Sequence, residues 1–248
     1  MHDFLSLEVT GKCNLECKYC CRYGVNNQQS INNELDKEDL LKIITQANDL
    51  NIHELRITGG EPFLSSNLFE IINNFDGSVK TFTNGTLLNK KQFKKIKKSN
   101  LQEVTVSLDG LKNQDKVRKG SNHIQILDTI RTLNDIDNLF VSVNTILGEK
   151  TLCEIQELYK ILREIDIEKW ILDFPQDRGR INNSDFKKVN VEKAMKKISE
   201  ILLEDINSSN PIGLKIRNLF NFNISEEKLS GIENLKSHPS HKLGRGYI

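Results

Sequence analysis

Short runs of apolar, often β-branched residues alternate along the chain with longer segments in which apolar residues recur every three or four positions. The short runs predict six strands, namely Phe4–Thr10, His53–Thr58, Val79–Thr83, Glu103–Leu108, Leu139–Leu147 and Lys169–Phe174. The longer segments predict the helices between them, namely Lys37–Asn51, Asn67–Asn74, Lys90–Lys98, Ile124–Asn134 and Leu152–Ile165. This alternation predicts an α/β fold with parallel strands, either an open doubly wound sheet or a curled, incomplete barrel.

The pattern weakens after the sixth strand. Residues Gln176–Ser184 have the composition of a loop, and Val191–Asn207 has the period of a further helix. Beyond Pro211, glycines are scattered among short apolar pieces. We therefore expect a core over residues 1–207 and a short irregular tail over residues 208–248.

Polar and glycine-rich residues follow each of the six predicted strands. The segments are the cysteine-containing loop after Thr10, Gly59–Pro62, Thr83–Thr86, Ser107–Gly110, Asn144–Thr145 and Asp173–Pro175. Because the carboxyl ends of parallel strands meet at one rim, these segments predict a single site there.

Composition narrows the classes of partner. The 248 residues carry 35 Lys plus Arg against 34 Asp plus Glu, so there is no overall field to attract nucleic acid or a membrane. No apolar stretch approaches the length of a membrane span, and five unevenly spaced cysteines do not form a disulfide framework. We expect a cytoplasmic protein. The basic run Lys90–Lys98 offers an RNA contact as an alternative, but Phe93 and Ile96 recur within it at helical spacing, which favours a solvated helix face.

Three cysteines lie in one short loop, Cys13, Cys17 and Cys20 in the run CNLECKYC. Three soft thiolates suit an iron–sulfur cluster or zinc, and a missing fourth ligand leaves one coordination position open. A zinc loop is the alternative, but the second CxxC pair that usually closes such a site does not occur in the sequence. Lys12 and Lys18 are placed to offset the charge of a cluster, and Cys21 is expected to point away from it.

The CxxxCxxC loop, with Tyr19 before its last cysteine and a Gly59-Gly60-Glu61-Pro62 turn one strand later, resembles the radical S-adenosylmethionine (radical SAM) superfamily over roughly residues 4–175. The resemblance implies a partial (β/α)6 barrel and one [4Fe–4S] cluster on Cys13, Cys17 and Cys20. SAM would bind the fourth iron, receive one electron and release a 5′-deoxyadenosyl radical that abstracts hydrogen from a peptide or small-molecule substrate. It also implies an electron donor such as flavodoxin or ferredoxin.

The same resemblance assigns contacts to SAM. The Gly59–Pro62 turn would hold its amino group, and Arg118 would pair with its carboxylate. Hydroxyl and amide groups at the ends of strands three and four would meet its ribose and methionine parts, and groups on strands five and six its adenine. The implied cofactor-binding residues are Tyr19, Gly59, Gly60, Glu61, Pro62, Thr83, Asn84, Ser107, Arg118, Asn144 and Asp173, with Leu172 as the alternative to Asp173.

The motif style looks most like the branch that contains the SPASM-type peptide and sulfatase maturases and the molybdenum-cofactor enzyme. Here a departure from that branch is visible, because only Cys21 and Cys153 remain for a second cluster. We therefore expect one cluster, no N-terminal leader-binding domain, and a tail that corresponds to a shortened SPASM-like extension. His238 and His241 in that tail have HxxH spacing but no nearby partner ligand, so we interpret them as bystanders. A catalytically impaired cluster- or zinc-binding accessory protein is the alternative function.

Overall fold

The computed structural model describes residues 4–21, 34–218 and 242–243. Eight of its strands form one sheet in the order β1-β3-β4-β5-β7-β8-β9-β10, and all neighbours are parallel. These are β1 (Phe4–Glu8), β3 (Glu54–Thr58), β4 (Ser78–Thr83), β5 (Leu101–Ser107), β7 (Phe140–Ile146), β8 (Lys169–Asp173), β9 (Gly213–Arg217) and β10 (Lys242–Leu243). Two short segments, β2 (Glu16–Cys17) and β6 (Arg118–Lys119), form a separate antiparallel ladder.

Several of the described helices begin where a side chain caps free backbone N–H groups. Asp36, Asn122 and Asn190 each accept a hydrogen bond from the first turn of the helix that follows. The helices are α1 (Lys37–Asp49), α2 (Leu68–Asn74), α3 (Lys90–Ile96), α4 (Gln114–Val117), α5 (His123–Asn134), α6 (Glu149–Leu152), α7 (Ile155–Glu164) and α8 (Val191–Ile206). Short 3-10 turns occupy Pro62–Leu64 and Gly179–Asn183.

The core lies between one face of the sheet and these helices. Along β3, Leu55 and Ile57 are fully buried, whereas the alternating Glu54, Arg56 and Thr58 are only partly buried on the opposite face. Helix α3 is likewise apolar on one face. Ile96 is buried and Phe93 packs against the core, while the lysines of the helix face outward. The alternation of side chains thus places the apolar positions under the helices and leaves the other sheet face polar.

The predicted parallel α/β fold is confirmed, with all six strands and the helices between them. The sheet is open, because β1 and β10 do not pair with each other among the described residues. It also continues past residue 207, since β9 pairs with β8 within a segment that we expected to be irregular. His238 and His241 lie outside the described residues, and none of the helices described is long and apolar enough to cross a membrane.

Candidate functional site

A cavity of about 290 Å³ opens at the carboxyl ends of the parallel strands. Its wall contains every residue that the sequence assigned to the cluster or to SAM, which are Cys13, Cys17, Tyr19, Cys20, Gly59, Gly60, Glu61, Pro62, Thr83, Asn84, Ser107, Arg118, Asn144 and Asp173. These residues come from separate strand ends, so the topology of the sheet brings them together.

The cysteine loop is held by the ladder between β2 and β6. Cys17 lies opposite Arg118 in that ladder, and Lys18 N donates to Val117 O at 3.0 Å. This pairing directs Cys17 inward, where it is 8% exposed. Burial raises the pKa of the Cys17 thiol to about 11, and burial also raises the pKa of Cys13.

The Gly59-Gly60 turn packs directly on the backbone that leads into the cysteine loop. Gly60 N donates to Thr10 O, and Glu61 N donates to Lys12 O, both at 2.8 Å. A Cβ on Gly59 would lie 2.4 Å from Thr10 O, and one on Gly60 would lie 2.1 Å from Lys12 O. Glycine is therefore required at both positions for contact with the loop as well as for any contact with a ligand.

The Glu61 carboxylate joins two strand ends. It is 1% exposed and accepts hydrogen bonds from the Thr83 hydroxyl and from Asn84 N, each at 2.7 Å. It also accepts from Phe63 N at the start of the 3-10 turn. Burial raises the pKa of Glu61, although these donors oppose that shift. The carboxylate thus fixes the shape of the cavity wall between β3 and β4.

Tyr19, Asp109 and Arg118 form a buried polar network on the other side of the cysteine loop. Arg118 Nη1 donates to the Tyr19 hydroxyl at 2.5 Å and to Asp109 Oδ2 at 3.2 Å, and the Tyr19 hydroxyl also donates to Asp109. Asp109 is fully buried, and its second oxygen accepts from Ile146 N at 2.7 Å. The network therefore connects the loop to the ends of β5, β6 and β7.

A second network occupies the ends of β7, β8 and β9. Arg217 Nη2 donates to Asp173 Oδ2 at 2.6 Å and to Asn144 Oδ1 at 2.9 Å, and Asn218 Nδ2 donates to Asp173 Oδ1 at 2.5 Å. Burial raises the pKa of Asp173, while the Arg217 charge acts in the opposite direction. Asn144 and Asp173, the two residues expected near adenine, thus both accept a hydrogen bond from Arg217.

Residues 178–186, here called the strap, cross the cysteine loop. Arg180 N donates to Cys20 O at 2.8 Å, and the Phe186 ring meets the Tyr19 ring edge to face at 5.3 Å. Gly179 has φ +73°, and a Cβ there would lie 2.4 Å from Cys20 O. The segment that sequence composition described only as a loop is thus a tight cover on the cysteines.

Several side chains differ from expectation. Cys21 lines the cavity, although we expected it to point away from it. Lys12 pairs with Glu34 and Lys18 pairs with Asp185, so each of these two cations already has a carboxylate beside it. No role was predicted from the sequence for Asp109, Arg217 or Asn218. The alternation in Gly213–Arg217 was the one signal for a strand carrying Arg217, and it is short and isolated.

The chain is similar in sequence to one protein family and to named members of known proteins. A family model described as the radical SAM superfamily matches residues 7–162. A GTP 3′,8-cyclase from Limosilactobacillus fermentum is 32% identical over 154 residues, which are 59% of this chain and 46% of the relative. The enzyme of the same name from Clostridium acetobutylicum is 29% identical over 197 residues, covering 73% of this chain and 61% of the relative. The chain therefore spans about half of the curated relatives it matches.

Two solved structures share the fold. Streptococcus suis SuiB superposes with a TM-score of 0.72 at 17% identity, over 92% of this chain and 54% of SuiB. The anSMEcpe protein with bound AdoMet gives a TM-score of 0.68 at 20% identity, over 85% of this chain and 63% of its own. At these identities the likeness concerns the fold alone.

Proposed function

Because the chain belongs to the radical SAM superfamily, we propose that it is an enzyme that cleaves SAM reductively at one [4Fe–4S] cluster bound by Cys13, Cys17 and Cys20. The observation that carries the proposal is the meeting of the three thiols and the Gly59–Pro62 turn in one cavity. When bound, the cluster supplies the electron that releases a 5′-deoxyadenosyl radical from SAM, and this radical abstracts hydrogen from the substrate.

The donor set fits a cluster better than a single ion. Among the residues described, no group of three or more His, Cys, Asp or Glu side chains is arranged to hold one metal ion. The three thiols nevertheless share the wall of one cavity. Each thiolate of a cubane cluster binds a different iron, so its ligands surround a volume rather than converge on a point. This arrangement supports the cluster over the zinc alternative.

The chain's own residues would orient and enclose SAM. Arg118 lies on the cavity wall, held there by Asp109, where its charge can pair with a carboxylate. Gly60 is on the wall beside the cysteines, and Asn144 and Asp173 line it at the ends of β7 and β8. The strap covers the loop backbone at Cys20. Such enclosure restricts access of water to a reactive radical.

The substrate proposal remains a peptide or a small molecule. The sequence relatives are named GTP 3′,8-cyclase, and the fold neighbour SuiB is known in complex with its precursor peptide SuiA. GTP and a peptide encoded beside the gene are therefore the first two substrates to assay. We propose a flavodoxin or ferredoxin as electron donor, to be tested by replacing a chemical reductant with each protein.

The test of the proposed function is SAM turnover after anaerobic reconstitution with iron and sulfide. Wild-type protein with dithionite and SAM should form 5′-deoxyadenosine, measured by liquid chromatography and mass spectrometry. Cys17→Ser should form none, while Cys153→Ser, at an exposed position after α6, should match wild type. Wild-type protein that takes up no iron would overturn the proposal, and SAM binding without turnover would favour an accessory protein.

A further inference from the structure

Arg217 connects two residues of the cavity wall without belonging to the wall itself. Asn144, Asp173 and Asn218 line the cavity, and Arg217 contacts the first two through a single nitrogen, Nη2. An Nη group carries two hydrogens, so both are used by these bonds. Residue 217 also lies beyond the segment that matches the superfamily, which ends at residue 162.

The bond to Asn144 decides which way its amide faces. The amide has one acceptor atom, Oδ1, and one donor group, Nδ2. Because Oδ1 accepts from Arg217 at 2.9 Å, Nδ2 must be directed elsewhere. Within the described part of the chain nothing accepts a hydrogen bond from Nδ2, while Asn144 is 8% exposed and lines the cavity. An amide donor is thus left for a ligand.

The bond to Asp173 completes the arrangement. Arg217 and Asn218 donate to its two oxygens, so the carboxylate is occupied on both sides. Asp173 is 6% exposed, and a carboxylate buried to this degree needs a paired cation to remain charged. The pair in turn holds the guanidinium in the position from which it reaches Asn144.

We propose that Arg217 is a positioning residue of the cofactor site, which holds the Asn144 amide so that Nδ2 donates a hydrogen bond to adenine N1 of the bound nucleoside, an acceptor that is protonated in hypoxanthine. This proposal rests on the proposed function, because it needs SAM in the cavity. It assigns a role in cofactor selectivity to β9, a strand outside the matched segment.

The test compares binding of two ligands to anaerobically reconstituted protein by isothermal titration calorimetry. The ligands are S-adenosylhomocysteine and S-inosylhomocysteine, which differ only at the purine edge. For Arg217→Ala we expect weaker binding of the adenosyl ligand by roughly twofold to tenfold, the range for one hydrogen bond between neutral groups. The ratio of the two dissociation constants should fall toward one. Lys215→Ala, on the same strand, should leave both constants and their ratio unchanged.

Other results separate the possible failures. Equal weakening of both ligands by Arg217→Ala, or no change in either, would overturn the positioning role while leaving the proposed function intact. Wild-type protein that binds neither ligand would overturn both proposals. If Arg217→Ala does not fold, Arg217→Lys offers one charged nitrogen with several hydrogens in place of Nη2, and it should retain cluster absorbance together with part of the selectivity. A ratio of one in Arg217→Lys, with cluster absorbance retained, would contradict the proposal.

Discussion

Gly60 shows how one absent side chain shapes the site. The position of a Cβ, 2.1 Å from Lys12 O, is a clash with backbone rather than with a movable side chain. We expect Gly60→Ala to separate the turn from the cysteine loop and to reduce the free energy of unfolding by about 1–3 kcal/mol, as for other overpacked sites. Thermal unfolding and iron uptake would measure this. Ser66→Ala, at an exposed position nearby, is the control, and equal effects of the two changes would contradict the clash.

Asp109 carries the second prediction at this scale. It is fully buried and is the counter-charge of Arg118. Asp109→Asn leaves that guanidinium buried without a carboxylate, so we expect a loss of about 3–5 kcal/mol in unfolding free energy. Asp128→Asn removes the exposed pair with Arg131 and should cost about 1 kcal/mol or less. Urea denaturation of both variants would check the contrast, and similar losses would refute it.

Sequence was informative at the residue scale where chemistry is carried by the residue type itself. Three cysteines in one loop predict metal binding whatever the fold, and all of them line the cavity. Asp109 and Arg217 were missed because an aspartate or arginine at a strand end is usually solvated or caps a helix. Their roles depend on partners distant in sequence, such as Tyr19 for Asp109 and Asn144 for Arg217.

At the scale of elements, the strap determines how tightly the cysteine loop is held. Gly179→Ala places a methyl group against Cys20 O and should lift the strap from the loop. We expect faster reaction of the loop cysteines with a thiol reagent in the metal-free protein, and faster hydrogen exchange at Arg180 N. Asn182→Ala, exposed on the same 3-10 turn, should react as wild type does. Unchanged rates in Gly179→Ala would show that the strap does not restrain the loop.

The repeated succession of a strand and a helix made most elements predictable. Strands appear in the sequence as short β-branched runs, and amphipathic helices appear as apolar residues every three or four positions. Strand β9 was missed for a physical reason. Its five residues come shortly after Pro211 and begin with Gly213, and two of the five are charged, so their alternation is brief. The ladder between β2 and β6 was also not foreseeable, since two-residue strands form only when the loops are already adjacent.

For the molecule as a whole, a charge network ties four strands together. Glu103, on β5, accepts from Lys169 of β8 at 2.6 Å and pairs with Lys80 of β4 at 3.3 Å, and Lys80 also pairs with Glu54 of β3. Burial acts to raise the pKa of Glu103, but the two lysines outweigh it and the pKa lies below the ordinary value of 4.5. Folding therefore favours the charged carboxylate.

This linkage predicts a pH dependence of stability. The contribution of Glu103 is fully present above pH 4.5, its pKa in the unfolded chain, and is lost as pH falls through the lower folded-state pKa. Glu103→Gln should therefore lower stability at pH 7 and lose less further stability on acidification than wild type. Glu157→Gln, exposed on α7, should keep the wild-type profile. Parallel profiles for Glu103→Gln and wild type, measured by denaturation between pH 7 and pH 3, would contradict this linkage.

We propose that Cys13, Cys17 and Cys20 hold a cluster whose remaining coordination position accepts SAM. Electron paramagnetic resonance of the reconstituted, dithionite-reduced protein tests it most directly, with spectra recorded before and after addition of SAM. We expect a [4Fe–4S] signal whose g values change when SAM is added, and loss of that signal in Cys17→Ser but not in Cys153→Ser. A signal that is identical with and without SAM would show that SAM does not bind the cluster, and one that persists in Cys17→Ser would show that Cys17 is not a ligand.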